Sequence, residues 1–506
     1  MKPENVYDVL IVGAGVAGMY GALHFSDDTK IMMLAKYSST TSSSNLAQGG
    51  VAAVLSLEND SYELHAKDTF IAGRHENNPE TVDILVHEGP DDVREMMKLG
   101  AEFDRNSDGE LDKTLEGGHS RRRIVHHKDT TGAELVRALY EQVRKKDNIT
   151  YSDNTDLCRL VRVRSGFRAD LLKDGKVFSV FCSYCMLCTG GIGRVYKYTT
   201  NPKSSTGDGI RIAYELGARI KDLSYVQFHP TAFNSDDGEQ FLISESVRGE
   251  GAYLLNCHHE RFMDRYDERL ERAPRYVVSK SIILESRRTG SNDFFLDISY
   301  EDPDFVRNRF PGIYAGCMKY GVDMTKDLIP IFPCQHYLMG GIEVDIDSRT
   351  AVPRLYACGE CSNTGVHGKN RLASNSLLEA LVFSRRAAED IKRCMAVGYA
   401  DVDALPVEID ASGAPVPKMR EVSFQFLSSE NRYKILCHVQ TEIRNIMQRA
   451  YFVLPDPAAI RVGLKQIDNI LKRLKGGKYA WTTEYFETLS LATVAFIILT
   501  EAEERN

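Results

Sequence analysis

The sequence predicts an α/β chain in three parts: a Rossmann-like dinucleotide-binding domain, an α+β insertion that interrupts it, and a C-terminal helical bundle. Three observations carry this. An apolar strand runs into a glycine-rich turn and a helix at the start of the chain. The texture changes between about Leu223 and Gln335, where Arg, Asp and Pro are denser and the periodicity is mixed. Beyond a Pro-rich stretch, the residues from Glu421 to Glu504 recur with helical spacing.

Tyr7 to Val12 is β-branched and apolar, as a strand buried on both faces should be. It leads into Gly13-Ala14-Gly15-Val16-Ala17-Gly18 and a helical stretch through Phe25, and Lys30 to Ala35 reads as the second strand. Each glycine has a physical task at this spacing. Gly13 permits the tight turn, Gly15 lets a pyrophosphate approach the backbone, and Gly18 lets the helix pack on the strand. The helix N-terminus then offers amides and a positive dipole end to phosphate. The acidic residue expected at the end of the second strand is replaced by Leu34-Ala35-Lys36, which argues against a simple NAD site. Lys36 is placed to meet a phosphate or the ribose, and on residues alone the dinucleotide is either FAD or NADP.

Thr81 to Leu99 reads as a helix, and Val177 to Leu187 as an apolar strand ending in Thr189-Gly190-Gly191. After the insertion, Arg354 to Cys358 returns to strand character and Ser376 to Met395 to a helix. Pro406 to Pro417 reads as a linker. The expected domains are therefore 1–222 and 338–405 for the dinucleotide-binding part, 223–337 for the insertion, and 406–506 for the helical tail.

Composition excludes several functions. The 506 residues exceed one core, and 43% apolar with 26% charged is ordinary for a soluble globular chain. A net charge of -8, with Lys and Arg scattered, lacks the basic footprint that nucleic acid requires. Met1 to Asp8 has no signal-peptide character, and the apolar run Val494 to Leu499 is far short of the roughly 20 residues of a membrane helix. Eleven cysteines without a framework fit a reducing cytosol, so a cytoplasmic location is expected. Cys182, Cys185 and Cys188 imitate part of an iron–sulfur run but lie within a strand, where a spacing of three alternates faces. Cys358 and Cys361 imitate a redox pair without the setting for one. Both patterns read as structural, and no metal site is expected.

Ionisable residues gather in glycine-rich loops. They include His229 in Gln227-Phe228-His229-Pro230-Thr231, Ser244, Glu245 and Arg248 in the Ser244–Gly251 stretch, and Arg275 after Pro274. His336 stands before a Gly-Gly pair, and His367-Gly368-Lys369-Asn370-Arg371 precedes a helix. Singly, each reads more readily as a surface or packed residue. Together, arginines and histidines in this pattern would grip two carboxylates.

These stretches, with Ser44-Asn45-Leu46-Ala47-Gln48-Gly49-Gly50, Thr206-Gly207-Asp208-Gly209 and Arg371-Leu372-Ala373-Ser374-Asn375-Ser376, resemble the succinate dehydrogenase and fumarate reductase flavoprotein superfamily. The likeness is strongest to its L-aspartate oxidase branch. Ser43 stands where the respiratory subunits carry a His that tethers FAD, so the resemblance implies non-covalent FAD. Glu116-Gly117-Gly118-His119-Ser120 is similar to an oxidase stretch whose Glu meets the substrate amino group. Lys369 departs from the small residue usual between Gly368 and Asn370.

The resemblance implies a Rossmann-like FAD-binding domain with an inserted α+β capping domain. FAD would be held by Gly13, Ala14, Gly15, Val16, Ala17, Gly18, Lys36, Ser43, Ser44, Asn45, Leu46, Ala47, Gln48, Gly49, Gly50, Asp208, Glu360, Ser376 and Leu377. Substrate carboxylates would meet His229, Ser244, Glu245, His336 and Arg371, with Arg275, Arg248, His229 and Glu116 at the chemistry and the insertion acting as a lid. The implied reaction is oxidation of L-aspartate to iminoaspartate with oxygen or fumarate as acceptor, the imine passing to quinolinate synthase towards NAD. A soluble fumarate reductase or succinate-oxidising flavoprotein, and a non-catalytic flavin-binding subunit, are the rival readings.

Overall fold

A computed structural model describes residues 5–235, 240–397, 429–477 and 479–505. The linker read at Pro406 to Pro417 lies outside these residues.

Strand β1 (Val6–Val12), helix α1 (Val16–Leu23) and strand β2 (Ile31–Leu34) form the opening unit. β1 and β2 pair in parallel, Val9 with Ile31 through Val12 with Leu34. On its other side β1 pairs in parallel with the strand Lys176–Leu187, Val12 opposite Leu187. That long strand has two partners along one edge. Val177 to Cys182 face Gly166–Lys173 antiparallel, and Cys185 to Leu187 face Leu355–Ala357 in parallel. Ile149–Ser152 and Thr155–Val163 complete a seven-stranded sheet. The sheet's main strands have both faces covered, which accounts for their unbroken apolar runs. Cys182 and Cys185 share one apolar core and Cys188 joins another, so alternation holds for the second pair of cysteines only.

The insertion builds a four-stranded antiparallel sheet ordered Val226–Phe233, Ile329–Leu338, Phe294–Asp297, Tyr253–Leu255. The helix Arg275–Thr289 lies on it and is tied by Ser279 Oγ to the Phe228 carbonyl at 2.9 Å. Several contacts hold this layer to the nucleotide domain, among them the following. The Asp129 carboxylate accepts the amides of Gly312 and Ile313 (2.7 and 3.1 Å) at the start of the helix Pro311–Met318. Gln48 Nε2 donates to the Leu242 carbonyl at 2.8 Å, and the Arg74 guanidinium lies 4.0 Å from the ring centre of Tyr276.

The helices Ser429–Ala450, Pro457–Gly476 and Thr483–Glu504 pack on the far side of the sheet, in one core with Leu10, Leu34 and Cys185. Among the described residues, Thr483–Glu504 alone is long and apolar enough by composition to cross a membrane, and 72% of its most apolar window is buried inside the fold. The run Val494 to Leu499 understated it, because Ala, Ser and Thr extend the buried face without extending the unbroken apolar run.

Candidate active site

The nucleotide end of the site is shaped by glycine. Gly13 has φ +118°, and a Cβ there would lie 2.1 Å from the Cys188 carbonyl oxygen. A Cβ at Gly18 would lie 1.9 Å from the Gly13 oxygen, so the first and third glycines serve close backbone packing. A Cβ at Gly15 would meet only Ser44, at 3.1 Å, which leaves the approach to the α1 N-terminus open. From this turn a cavity of about 420 Å³ runs to the seam with the insertion. Gly13, Ala14, Gly15, Ala17, Lys36, Ser43, Ser44, Leu46, Ala47, Gln48, Gly49, Gly50, Asp208, Glu360, Ser376 and Leu377 line it, as do Glu116, Ser244, Glu245, Arg275, His336 and Arg371. Five residues from the sequence reading lie outside those walls. Val16 and Gly18 are packed into α1, Asn45 donates its amide to Ser42 Oγ, and His229 and Arg248 are buried behind the substrate end.

Lys36 is not a free cation. Its Nζ meets Asp208 Oδ2 at 2.8 Å, Glu487 Oε1 at 2.6 Å and Thr206 Oγ1 at 3.0 Å. Burial opposes its charge, but Asp208 and Glu487 outweigh that and raise its pKa. Nearby Asp156 is pushed up to about 6, first by burial and further by Asp208 and Glu487 against the pull of Lys36. An extra ribose phosphate would meet this carboxylate-rich end unfavourably, which speaks against NADP. Among the described residues Asp208 Oδ1 and Thr189 Oγ1 are buried without hydrogen-bond partners, as groups that would meet ligand hydroxyls are. With the elongated cavity and the open Gly15 approach, these walls fit a flavin dinucleotide. Glu360, pushed up to about 7 by burial, accepts the Leu338 amide at 3.1 Å.

At the seam, the strands Val226–Phe233 and Ile329–Leu338 bring the His229 and His336 rings within 5.2 Å. His229 Nδ1 accepts the Thr231 amide at 3.2 Å, so the neutral ring carries its proton on Nε2, which is buried and unpartnered. Burial, then Arg275, His336, Arg248 and Arg371, hold its pKa well below the usual value. His336 is lowered by burial and by Arg371 and Arg275, and its Nδ1 lies 3.0 Å from Thr200 Oγ1.

Three arginines converge. Arg275, first residue of its helix, donates Nε to Glu245 Oε2 at 2.5 Å and Nη1 to Gln227 Oε1 at 3.0 Å. Arg371 donates Nη2 to the same Gln227 oxygen at 3.2 Å and Nη1 to Ser376 Oγ at 2.9 Å. Its guanidinium lies 4.3 Å from the Tyr337 ring centre, and burial with Arg275 lowers its pKa to about 10. Arg248, 1% exposed, donates Nη1 to the Glu271 carbonyl and pairs Nη2 with Glu245 Oε1 at 3.6 Å, while among the described residues Nε and Nη2 have no hydrogen-bond partner. Burial would raise Glu245, but Arg275 and Arg248 hold it below the ordinary range. Glu116 accepts Ser374 Oγ at 2.5 Å, and Ser244 caps the short helix Glu245–Gly249.

Gln227 was not singled out from the sequence, although its stretch was; that stretch, read as a loop, is the strand Val226–Phe233. No local signal marks a glutamine whose partners are 48 and 144 residues away. Lys369, the departure noted above, pairs with Glu76. Cys358 and Cys361 are buried, with Cys361 Sγ bonded to the Leu187 carbonyl at 3.1 Å and held up at about 11 by burial. Among the described residues no group of three or more His, Cys, Asp or Glu is arranged to hold a metal ion.

Comparison with known proteins agrees with this geometry. The family model described as FAD binding domain matches residues 8–377. An L-aspartate oxidase of Clostridium perfringens is 47% identical over 391 residues, which cover 77% of this chain and 87% of that protein. A chloroplastic L-aspartate oxidase 2-b of Nicotiana tabacum is 38% identical over 499 residues, 95% of this chain and 74% of its own. Among solved structures, E. coli quinol fumarate reductase FrdA superposes with a TM-score of 0.86 at 28% identity, covering 99% of this chain and 89% of that one. The chain belongs to the FAD-binding flavoproteins of the succinate dehydrogenase and fumarate reductase superfamily, and within them to the L-aspartate oxidase family.

Proposed function

We propose that this chain is an L-aspartate oxidase that holds FAD non-covalently and converts L-aspartate to iminoaspartate, with fumarate or oxygen as electron acceptor. One observation carries the reading: Arg275, Arg371, His336, Ser244 and Glu116 line one end of the cavity, backed by the buried His229 and Arg248, and among the described residues His229 Nε2 and Arg371 Nε lack hydrogen-bond partners. Three guanidiniums and two carboxylates, with both histidines neutral, leave that end with one positive charge. L-aspartate brings one net negative charge and matches it, whereas succinate brings two and leaves Glu116 unpaired.

When bound, FAD would supply the acceptor for the hydride of the substrate carbon. The chain's residues do the rest. His229 Nε2–H, His336, Ser244 and Arg371 bind the carboxylates, and Arg248 supports them from behind. Glu116 holds the ammonium and so fixes which substrate face is presented. Arg275 carries the departing proton: once its own proton has shifted along the 2.5 Å Nε–Glu245 bond it is a neutral guanidine that can accept one, and the net charge of the site is unchanged. Glu245 and Gln227 occupy its Nε and Nη1 and leave Nη2 to face the substrate. The 223–337 insertion serves as the lid, with the Asp129, Gln48 and Arg74 contacts holding it shut against water. The domain bounds in this reading are the ones read from the sequence, 1–222 with 338–405, 223–337 and 406–506, and the imine passes to quinolinate synthase. A cytosolic setting is supported by eleven cysteines that are all thiols.

The test is anaerobic flavin bleaching by L-aspartate with succinate as comparison. Rapid bleaching by L-aspartate is expected, and Arg275→Leu should abolish it while retaining flavin. Bleaching by succinate alone, or an active Arg275→Leu enzyme, would overturn the assignment.

A further inference from the structure

Behind the substrate end lies a buried polar chain that the reaction does not use directly. Arg123, with a fully buried side chain, donates Nε and Nη2 to the two oxygens of Asp60 (2.9 and 2.8 Å) and Nη1 to Asp68 Oδ2 (2.6 Å). The same Nη1 lies 3.0 Å from His119 Nδ1. A guanidinium only donates, so His119 Nδ1 must accept, and the ring proton sits on Nε2. Nε2 then donates to the Ala373 carbonyl at 2.9 Å. Asp68 also receives the Ser120 amide and hydroxyl, both at 2.8 Å, which anchors the far end of the same loop.

The two ends of that histidine bond matter. On one side, the His119 amide donates to the Glu116 carbonyl at 3.1 Å, closing a single turn that carries Glu116. On the other, Ala373 precedes Ser374, which has φ +61° and whose hydroxyl bonds the Glu116 carboxylate and accepts the Gly50 amide. A non-glycine residue in the left-handed region persists only where its surroundings impose it. The turn is also pressed into place, since a Cβ at Gly117 would lie 2.1 Å from Glu245 Oε1 and one at Gly118 2.8 Å from Leu372 Cδ1. Arg371, by contrast, is fixed by Gln227 and Ser376 without help from His119.

We propose that His119, oriented by Arg123, is a positioning residue for amino-group recognition: it staples the Glu116 turn to the Ala373–Ser374 segment and so sets Glu116 against Arg371. This rests on the reading of Glu116 given above. The inference separates two parts of binding, because the carboxylate grip stands without the staple and the ammonium contact does not.

The experiment uses the FAD-loaded enzyme and two ligands with the same carboxylates, L-aspartate by its KM and kcat and succinate by its Kd from flavin absorbance. In His119→Leu the KM for L-aspartate should rise about tenfold or more, since displacements near 1 Å at a reacting group cost up to about a hundredfold. The Kd for succinate should stay within about threefold, and His119→Gln, which can accept from Arg123 and donate to Ala373, should recover most of the loss. Equal loss for both ligands, or no loss for either, would overturn the inference. Should His119→Leu fail to hold FAD, His119→Asn, too short to reach both partners, supplies the same comparison. Glu116→Gln separates the two readings. If it spares L-aspartate the role of Glu116 itself falls, and if it weakens L-aspartate while His119→Leu does not, the staple alone falls.

Discussion

Replacing Gln227 by leucine is the sharpest test of how the cationic site is assembled. The Gln227 carbonyl accepts from Arg275 Nη1 at 3.0 Å and from Arg371 Nη2 at 3.2 Å. Its amide nitrogen donates to Asn370 Oδ1 at 2.9 Å and to the Arg371 carbonyl at 3.0 Å. Leucine has similar volume and keeps none of these bonds. A hydrogen bond to a charged donor contributes about 1.5–3 kcal/mol. If one of the two is realised in the transition state, about 2 kcal/mol is lost, which corresponds to roughly a 30-fold fall in kcat/KM. The fall should be shared between KM and kcat, because Arg371 grips the substrate and Arg275 moves the proton. Steady-state peroxide formation against L-aspartate concentration measures both, with flavin absorbance confirming equal cofactor content. A Gln227→Leu enzyme within about threefold of wild type in kcat and KM would refute the claim that one oxygen holds the two guanidiniums in place.

Two other perturbations separate packing from ligand contact and charge from burial. Gly18→Ala places a Cβ 1.9 Å from the Gly13 oxygen and should lower stability by about 1–3 kcal/mol, whereas Gly15→Ala meets only Ser44 and should weaken flavin retention with little change in apoprotein melting. Thermal unfolding and flavin fluorescence distinguish them, and equal melting of the two variants would contradict the division of labour. Glu360 is raised from 4.5 to about 7, so the folded apoprotein holds that proton more tightly than the unfolded chain. Its contribution is complete below 4.5 and is lost as pH rises through about 7, up to about 3 kcal/mol. Glu360→Gln should flatten the fall in stability across that window, and unchanged pH dependence by denaturant titration would show that Glu360 is ionised throughout.

Local chemistry was legible in the sequence where it depends on neighbours. The β1–glycine–α1 unit was read within a residue or two because apolar runs and glycine spacing are short-range signals, and the arginines and histidines of the site announced themselves by type, although His229 and His336, read in loops, lie on strands and Arg275 opens a helix. What depends on distant partners was not legible. Lys36 reads as an available cation, yet Glu487, 451 positions later, neutralises it together with Asp208. Gln227 looks like an ordinary strand residue until Arg275 and Arg371 close on it. The helix Thr483–Glu504 showed only six unbroken apolar residues, since Ala, Ser and Thr suit a crowded interior as well as a surface.

The apolar core that joins β1 to the last helix has a consequence for synthesis. Leu10 and Leu34 share their cluster with Val494 and Leu499, so the sheet's outer face is not fully covered until those later residues have left the ribosome. The opening βαβ unit can form early, but it waits with sticky hydrocarbon exposed for roughly the time needed to add 450 residues at about 5–20 per second. Chaperone dependence during translation, and aggregation of fragments truncated before Thr483, are the costs of completing the opening layer with a segment made so much later.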